Sequence, residues 1–277
     1  STNPCVTGDT LISTEQGLMR MEDVVKNYGD GGIKIATDSR VPLRVKSGEG
    51  IILMNQVTEG MAFNEISQAF SNGMKEVYLL RLNNGSELKL TEDHKVITQE
   101  GFVKVKDLTE NDKILLQKGE GRFGKNEIDT NIINNFVGEN GRKYQHNFPT
   151  EWSKELGQVL GWLIGDGWLR SGDKNRRTGF TFGKEDKEIL DYLKPILNQY
   201  YGQNIQEVER ENGVYHLSYH SKYLVEFFEK LGVKACQSGE KVVPEKLFQA
   251  SKEAVIGFLQ GLFSSDGTVR DSPKSAS

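Results

Sequence analysis

Short bursts of alternating apolar and polar residues run from the start of the chain to about residue 118, a pattern that predicts β-structure. Ile12 to Met21 holds two such bursts around Glu15-Gln16-Gly17 and reads as a tight hairpin. Val77 to Leu82 runs into Asn83-Asn84-Gly85 and returns through Glu87 to Leu90. Asn-Gly there predicts a two-residue hairpin turn, in which both central residues need positive φ. Lys95 to Thr98, a turn at Gly101 and Phe102 to Val105 make a further hairpin. Residues 119–150 are rich in Gly, Asn and charge and read as a linker.

From Thr150 the period lengthens to that of helices alternating with strand pairs. One helix is expected from about Ser153 to Gly165, then two strands across Trp168 to Phe182. A second helix spans about Glu185 to Tyr201, with Ile189, Leu190, Leu193, Ile196 and Leu197 on its apolar face. Ile205 to Tyr219 is a hairpin turning at Asn212-Gly213. Ser221 caps a third helix burying Leu224, Phe227, Phe228 and Leu231. The order is αββαββα. Ser251 then caps another helix ending at Ser264-Ser265-Asp266-Gly267, and Thr268-Val269-Arg270 opens a second repeat that is truncated at Ser277.

Length and composition add bounds. At 277 residues the chain has room for two domains of ordinary size. The first residues lack a signal-peptide pattern and no stretch is apolar enough to span a bilayer, so a cytoplasmic location away from membranes is expected. Two cysteines, Cys5 and Cys236, make no disulfide framework, and with four histidines no zinc pattern emerges. A net charge of −4 leaves room for nucleic-acid binding only through a locally basic face.

Candidate chemistry begins at Cys5-Val6-Thr7-Gly8-Asp9-Thr10, followed far downstream by Thr91-Glu92-Asp93-His94 and by Gly101-Phe102-Val103-Lys104-Val105-Lys106-Asp107-Leu108. A thiolate can attack the preceding carbonyl and move the acyl group from nitrogen to sulfur. That step needs a nucleophile, a proton donor to the departing nitrogen and donors to the oxyanion. Cys5 can supply the first and His94 the second, while Thr91 could aim its hydroxyl or its backbone N–H at the attacked carbonyl. Each motif alone is common by chance. In this order they resemble the N-terminal splicing blocks of inteins, over about residues 5–25 and 70–118. The resemblance implies an all-β Hint horseshoe over residues 5–118, Cys5 as acyl-shift nucleophile, and Thr91 and His94 as its activating pair. Ser1 to Pro4 would be an N-extein remnant, and Asn3-Pro4-Cys5 is similar to a ribonucleotide reductase sequence, a frequent host. Pro4, as a tertiary amide, is expected to alter the basicity of the scissile nitrogen.

A second constellation pairs Leu160-Gly161-Trp162-Leu163-Ile164-Gly165-Asp166-Gly167 with Leu259-Gln260-Gly261-Leu262-Phe263-Ser264-Ser265-Asp266-Gly267. Gly157, Gly161 and Gly165 recur every four residues, as do Gly257, Gly261 and Ser265. Small residues at that spacing share a face and let two helix backbones approach. The approach would bring Asp166 and Asp266 together at the negative ends of their helix dipoles, an arrangement suited to a divalent cation. An ordinary helix pair ending in turns explains either motif alone. Together they resemble the paired motifs of LAGLIDADG homing endonucleases, an α+β fold here spanning 151–277 and incomplete at its C-terminus. The resemblance implies Mg2+ held by Asp166 and Asp266, hydrolysis of double-stranded DNA, and Lys241 as an active-site lysine. Arg170, Lys174, Arg176 and Arg177 are candidate phosphate contacts, with a solvated strand pair the equal alternative.

The His-Asn pair that ends inteins is not found among the last residues, Asp271 to Ser277. Splicing of host-protein exteins is therefore expected to need a complementary C-terminal fragment. Two other readings stand beside this one: an endonuclease with an accessory β domain, and a catalytically degenerate relic.

Overall fold

The computed structural model describes residues 4–38, 43–47, 50–54, 60–117, 120–128, 131, 134–137, 141, 143–172 and 174–267. The chain folds as two compact units, residues 1–123 and 124–277. No helix among the described residues is long and apolar enough to cross a membrane.

In the first unit, β1 (Leu11–Thr14) and β2 (Gly17–Arg20) form the predicted hairpin. β3 (Lys34–Asp38) and β6 (Met61–Glu65) extend it to an antiparallel sheet ordered β2-β1-β3-β6. β4 (Leu43–Ser47) and β5 (Gly50–Met54) pair separately. β7 (Tyr78–Arg81) pairs with β8 (Glu87–Leu90), and β9 (Lys95–Thr98) with β10 (Gly101–Lys104). An all-β unit was expected, yet Met21–Tyr28 forms a helix, α1, whose Val24 is buried with Met19 and Ile33. The β7–β8 turn also differs from expectation. Three residues, Asn83-Asn84-Gly85, make the loop, and Gly85 alone takes positive φ (85°). The Gly85 N–H donates to the Leu82 carbonyl and the Asn84 side chain accepts from the Ser86 N–H, which holds Asn84 out of the left-handed region.

The first unit contains a repeat that hydropathy alone did not show. Thr7-Gly8-Asp9-Thr10 corresponds to Thr91-Glu92-Asp93-His94, and Thr14-Glu15-Gln16-Gly17 to Thr98-Gln99-Glu100-Gly101. Thr14 Oγ1 donates to the Gly17 carbonyl and accepts from the Gln16 N–H at 3.1 Å, and Thr98 Oγ1 does the same with Gly101 and Glu100. In both copies the residue after the hairpin, Met21 or Val105, donates its N–H to the fourth motif residue, Thr10 or His94. The copies meet at the Val6–Leu90 bridge, where each residue pairs with its own counterpart. Flanking it, Thr7 N–H bonds to Lys89 O (3.3 Å) and Thr91 N–H to Cys5 O (3.0 Å), the pair a local two-fold axis demands.

The second unit follows the predicted order: α2 (Lys154–Gly165), β13 (Gly167–Arg170), β14 (Arg177–Phe182), α3 (Lys187–Tyr201), β15 (Val208–Glu209), β16 (Tyr215–Tyr219) and α4 (Lys222–Lys230). Its antiparallel sheet is ordered β13-β14-β16-β15. α5 (Lys252–Asp266) lies against α2. Leu156, Leu160, Phe180, Phe182, Leu217 and Phe228 centre one core between helices and sheet. Ser153 and Ser221 cap α2 and α4 through their hydroxyls. Ser251 does not cap α5 in this way, because its buried hydroxyl has no hydrogen-bond partner.

Much of the segment that reads as a linker packs into this unit. β11 (Asn135–Val137) pairs with β12 (Lys143–Gln145), His146 and Phe148 are buried, and Gly124 N–H bonds to the Ala250 carbonyl. Its polar composition hid two or three anchoring side chains among many solvated ones. Thr268-Val269-Arg270, read as opening a second repeat, lies outside the described residues, as do Ser1 to Asn3.

Candidate functional sites

Cys5 sits beside the two-fold bridge, and the repeat accounts for what surrounds it. Thr91 is the counterpart of Thr7, so the strand pairing carries it to Cys5 across most of the unit's sequence. The Thr91 N–H donates to the Cys5 carbonyl, and Thr91 Oγ1 accepts from the Cys5 N–H at 3.0 Å. Thr91 therefore holds the nitrogen of the Pro4–Cys5 bond; its N–H is spent on the carbonyl after Cys5 and not on the one under attack, contrary to one expected role. The bonded Cys5 N–H also corrects the view of Pro4. The tertiary amide lies one bond upstream, and the Pro4–Cys5 amide is an ordinary secondary one.

His94 is fixed by its backbone, with its N–H on the Thr91 carbonyl and its own carbonyl accepting from Val105. Its ring Nδ1 is buried and has no hydrogen-bond partner. A buried polar atom left unbonded costs stability unless something else occupies it, which marks this nitrogen as available for a proton or a transient partner. Cys5 lines a cleft of about 400 Å3 together with Thr91, Phe70, Asn72, Met74 and Val77. Asn72 Nδ2 donates to Cys5 Sγ at 3.0 Å. Asn72 escaped sequence reasoning because Ser71-Asn72-Gly73 reads only as a turn.

At the second site, α2 and α5 touch along their small-residue stripes. A Cβ on Gly157 or Gly161 would run into the backbone carbonyl of Ala254 or Phe258, and one on Gly257 or Gly261 into that of Lys154 or Gln158. Asp166 ends α2 and Asp266 ends α5, so the contact brings both carboxylates to one end of the pair. Lys241 Nζ donates to the carbonyls of Gly165 (3.0 Å) and Gly167 (2.8 Å), bracketing Asp166. Burial, then the Asp266 and Asp186 carboxylates, push the Asp166 carboxyl above its usual range, opposed by Lys241. Burial pushes the Lys241 ammonium down, with Asp166 pulling the other way. Asp166, costly to ionise in this setting, and Asp266 beside one partly buried ammonium form a donor set that fits a hard divalent cation completed by water and phosphate. No cluster of three or more His, Cys, Asp or Glu that could hold a metal occurs among the described residues.

The four basic candidates are less uniform. Arg170 and Arg177 face each other across β13 and β14, and Arg177 stacks on the Trp168 ring with its guanidinium 5.1 Å from the centroid. Arg177 Nε is buried and without a hydrogen-bond partner. Arg176 donates to the Gly172 carbonyl, and Lys174 is exposed.

Residues 10–255 match the family of intein splicing domains. The chain belongs to that family. Among curated relatives, this intein is 28% identical over 281 aligned positions to an A-type ATP synthase polypeptide of Pyrococcus abyssi, covering 95% of the chain and 25% of that protein. It is 23% identical to the alpha subunit of the ribonucleoside-diphosphate reductase NrdEB of Bacillus subtilis, covering 98% of the chain and 23% of that protein. The chain thus spans about a quarter of the length of these relatives. Among solved structures, a DnaB intein from Synechocystis sp. PCC 6803 is 21% identical with TM-score 0.32, covering 40% of this chain and 67% of that one. A variant of the homing endonuclease I-DmoI is 21% identical with TM-score 0.28, covering 40% and 57%. Likeness at that level transfers no residue roles to the intein.

Proposed function

We propose that this intein carries out the first step of protein splicing at the Pro4–Cys5 bond. The Cys5 thiolate attacks the Pro4 carbonyl carbon, the carbon–nitrogen bond breaks, and the Cys5 nitrogen takes a proton to become a free amine. The product is a thioester between Pro4 and Cys5 Sγ. The Thr91 hydroxyl, in contact with that nitrogen, is the observation that carries the reading. It orients the leaving nitrogen through that bond, and His94 is the proposed proton donor to it. Asn3-Pro4-Cys5 supports a ribonucleotide reductase host, in keeping with one of the relatives, although the intein is similar to parts of several unrelated hosts. A complementary C-terminal fragment bearing a terminal His-Asn is the partner proposed for the later steps of splicing.

The second unit is proposed to be a nested endonuclease acting on double-stranded DNA. Asp166 and Asp266 would hold Mg2+, which supplies a Lewis acid for the phosphate and a water of lowered pKa. Lys241, fixed by two backbone carbonyls, places positive charge beside Asp166. Arg170 and Arg177, like charges paired across two strands, are stabilised when a phosphate lies between them.

Mass spectrometry after addition of a small thiol tests the splicing reading. Loss of Ser1 to Pro4 is expected from the wild type and not from Cys5→Ala. Cleavage retained in that variant would exclude Cys5 as the nucleophile.

A further inference from the structure

We propose that Asn72 is a positioning residue for the Cys5 sulfur, its side-chain amide holding Sγ in place for attack on the Pro4 carbonyl. The proposal rests on the reading of Cys5 as nucleophile. Asn72 Nδ2 donates to Sγ at 3.0 Å, while Thr91 Oγ1 accepts from the Cys5 N–H at 3.0 Å. The acyl group moves between those two atoms, so one side chain holds its origin and another its destination.

Asn72 comes from the segment between β6 and β7, which has no regular structure yet is anchored. Ile66 N–H bonds to the Ile33 carbonyl (3.0 Å), Ala69 N–H to the Gly29 carbonyl at the end of α1 (2.9 Å), and Gly73 N–H to Ser71 Oγ (3.3 Å). Gly73 takes φ 74° immediately after Asn72, and Asn72 lines the cleft shared with Cys5. Asn72 itself is exposed and shares in no core. Its replacement should therefore cost little stability, and an effect on chemistry is separable from one on folding.

An N–H donor interacts about twice as strongly with a charged acceptor as with a neutral one. The bond is therefore firmest to the attacking sulfur and weakest to the thioester sulfur, a poor acceptor. It holds Sγ in place for the attack and lets go as the acyl group arrives.

The test uses the full chain in a Cys236→Ser background, so that Cys5 is the one thiol. Thiol-induced loss of Ser1 to Pro4, iodoacetamide alkylation and melting temperature are each followed at one pH. Asn72→Ala is expected to slow the loss of Ser1 to Pro4 by about threefold to tenfold, the cost of one hydrogen bond. Alkylation, which needs no alignment with the Pro4 carbonyl, and the melting temperature should stay near wild type. Asn72→Asp, of the same shape without the donor, should be slowed at least as much. Cleavage at the wild-type rate in both variants would overturn the proposal, as would a loss of cleavage matched by a lowered melting temperature. Cys5→Ala is run alongside, and cleavage persisting there would defeat the acyl-shift reading instead.

Discussion

Thr91 bonds Cys5 in two senses, as an amide donor to its carbonyl and as a hydroxyl acceptor from its N–H. The backbone half survives any side-chain substitution, so variants at this position report on the hydroxyl alone. Thr91→Ser should retain thiol-induced cleavage within a few-fold of the wild-type rate. Thr91→Val, of the same shape without the acceptor, should lose most of it, and comparable rates in the two would assign Thr91 to packing. His94→Ala should slow the same step by about 10²–10⁴-fold, the range for a positioned general acid; an unaltered single-turnover rate would remove it from the reaction. At the second site the balance of charge makes a different prediction. Burial and the Asp266 and Asp186 carboxylates raise the folded pKa of Asp166 above the unfolded value of 3.8. The folded state therefore prefers the proton, and the stability from that preference is present below pH 3.8 and lost as pH rises through the folded value. Asp166→Asn should accordingly raise the melting temperature at neutral pH without metal, with the advantage vanishing near pH 3.8, while abolishing DNA cleavage. Thermal scans at the two pH values check the sign, and a destabilised variant at neutral pH would contradict it.

Among the elements, α2 and α5 depend most on backbone contact. A methyl group at Gly161 would meet the Phe258 carbonyl, which helix hydrogen bonding prevents from moving aside. Gly161→Ala should cost at least about 1–3 kcal/mol by overpacking, measurable by chemical denaturation, and should part Asp166 from Asp266. A variant as stable as wild type would show that the stripe is not a close contact. A different anchor joins β12 to α3 and α4. His146, buried beside Phe148, has Nδ1 at 2.7 Å from the Tyr201 carbonyl and Nε2 at 3.2 Å from the Ser221 hydroxyl, which itself caps α4. The neutral ring can donate to the first and accept from the second. Burial pushes its pKa below 6.5, with the Tyr201 carbonyl pulling back. The unfolded chain then binds the proton more readily, so stability from the neutral ring is full above pH 6.5 and declines as pH falls below it. His146→Gln, which can keep both bonds without titrating, should flatten the dependence of melting temperature on pH between 7 and 5 relative to wild type. An unaltered slope would show that other groups set it.

At the scale of the whole chain, apolar surface remains to be covered. Ile256 (41% exposed), Leu259 (41%) and Phe263 (65%) lie on α5, away from the side that buries Ala254, Gly257, Phe258 and Gly261. Such a surface accords with the proposed C-terminal fragment, whose apolar side would bury it. Mixing the chain with a fragment that carries the remaining half-module and a terminal His-Asn should yield a tight complex and a spliced product. A chain that stays monomeric and gains no activity would refute the need for that partner.

What the sequence by itself determined is local. The hairpins at 11–20 and 95–104, the αββαββα order, and the four-residue glycine spacing are set by neighbouring residues, because turn chemistry and side-chain periodicity act within a few positions. The same locality made Asn83-Asn84-Gly85 legible as a turn and its length illegible, since Gly85 alone needs the left-handed region once Asn84 caps Ser86. Tertiary structure decided what meets what. The mixed polarity of Thr7 to Val24 hides its likeness to Thr91 to Leu108, and only the strand pairing between the two copies brings the Thr91 hydroxyl to the Cys5 nitrogen. Asn72 reaches the sulfur through a segment with no periodic signal, held by backbone bonds to residues far away in sequence. Asp166 and Asp266 were legible as a pair, but the cost of ionising Asp166 was not, because burial and the approach of Asp186 and Lys241 exist only once helices and loops have closed around it.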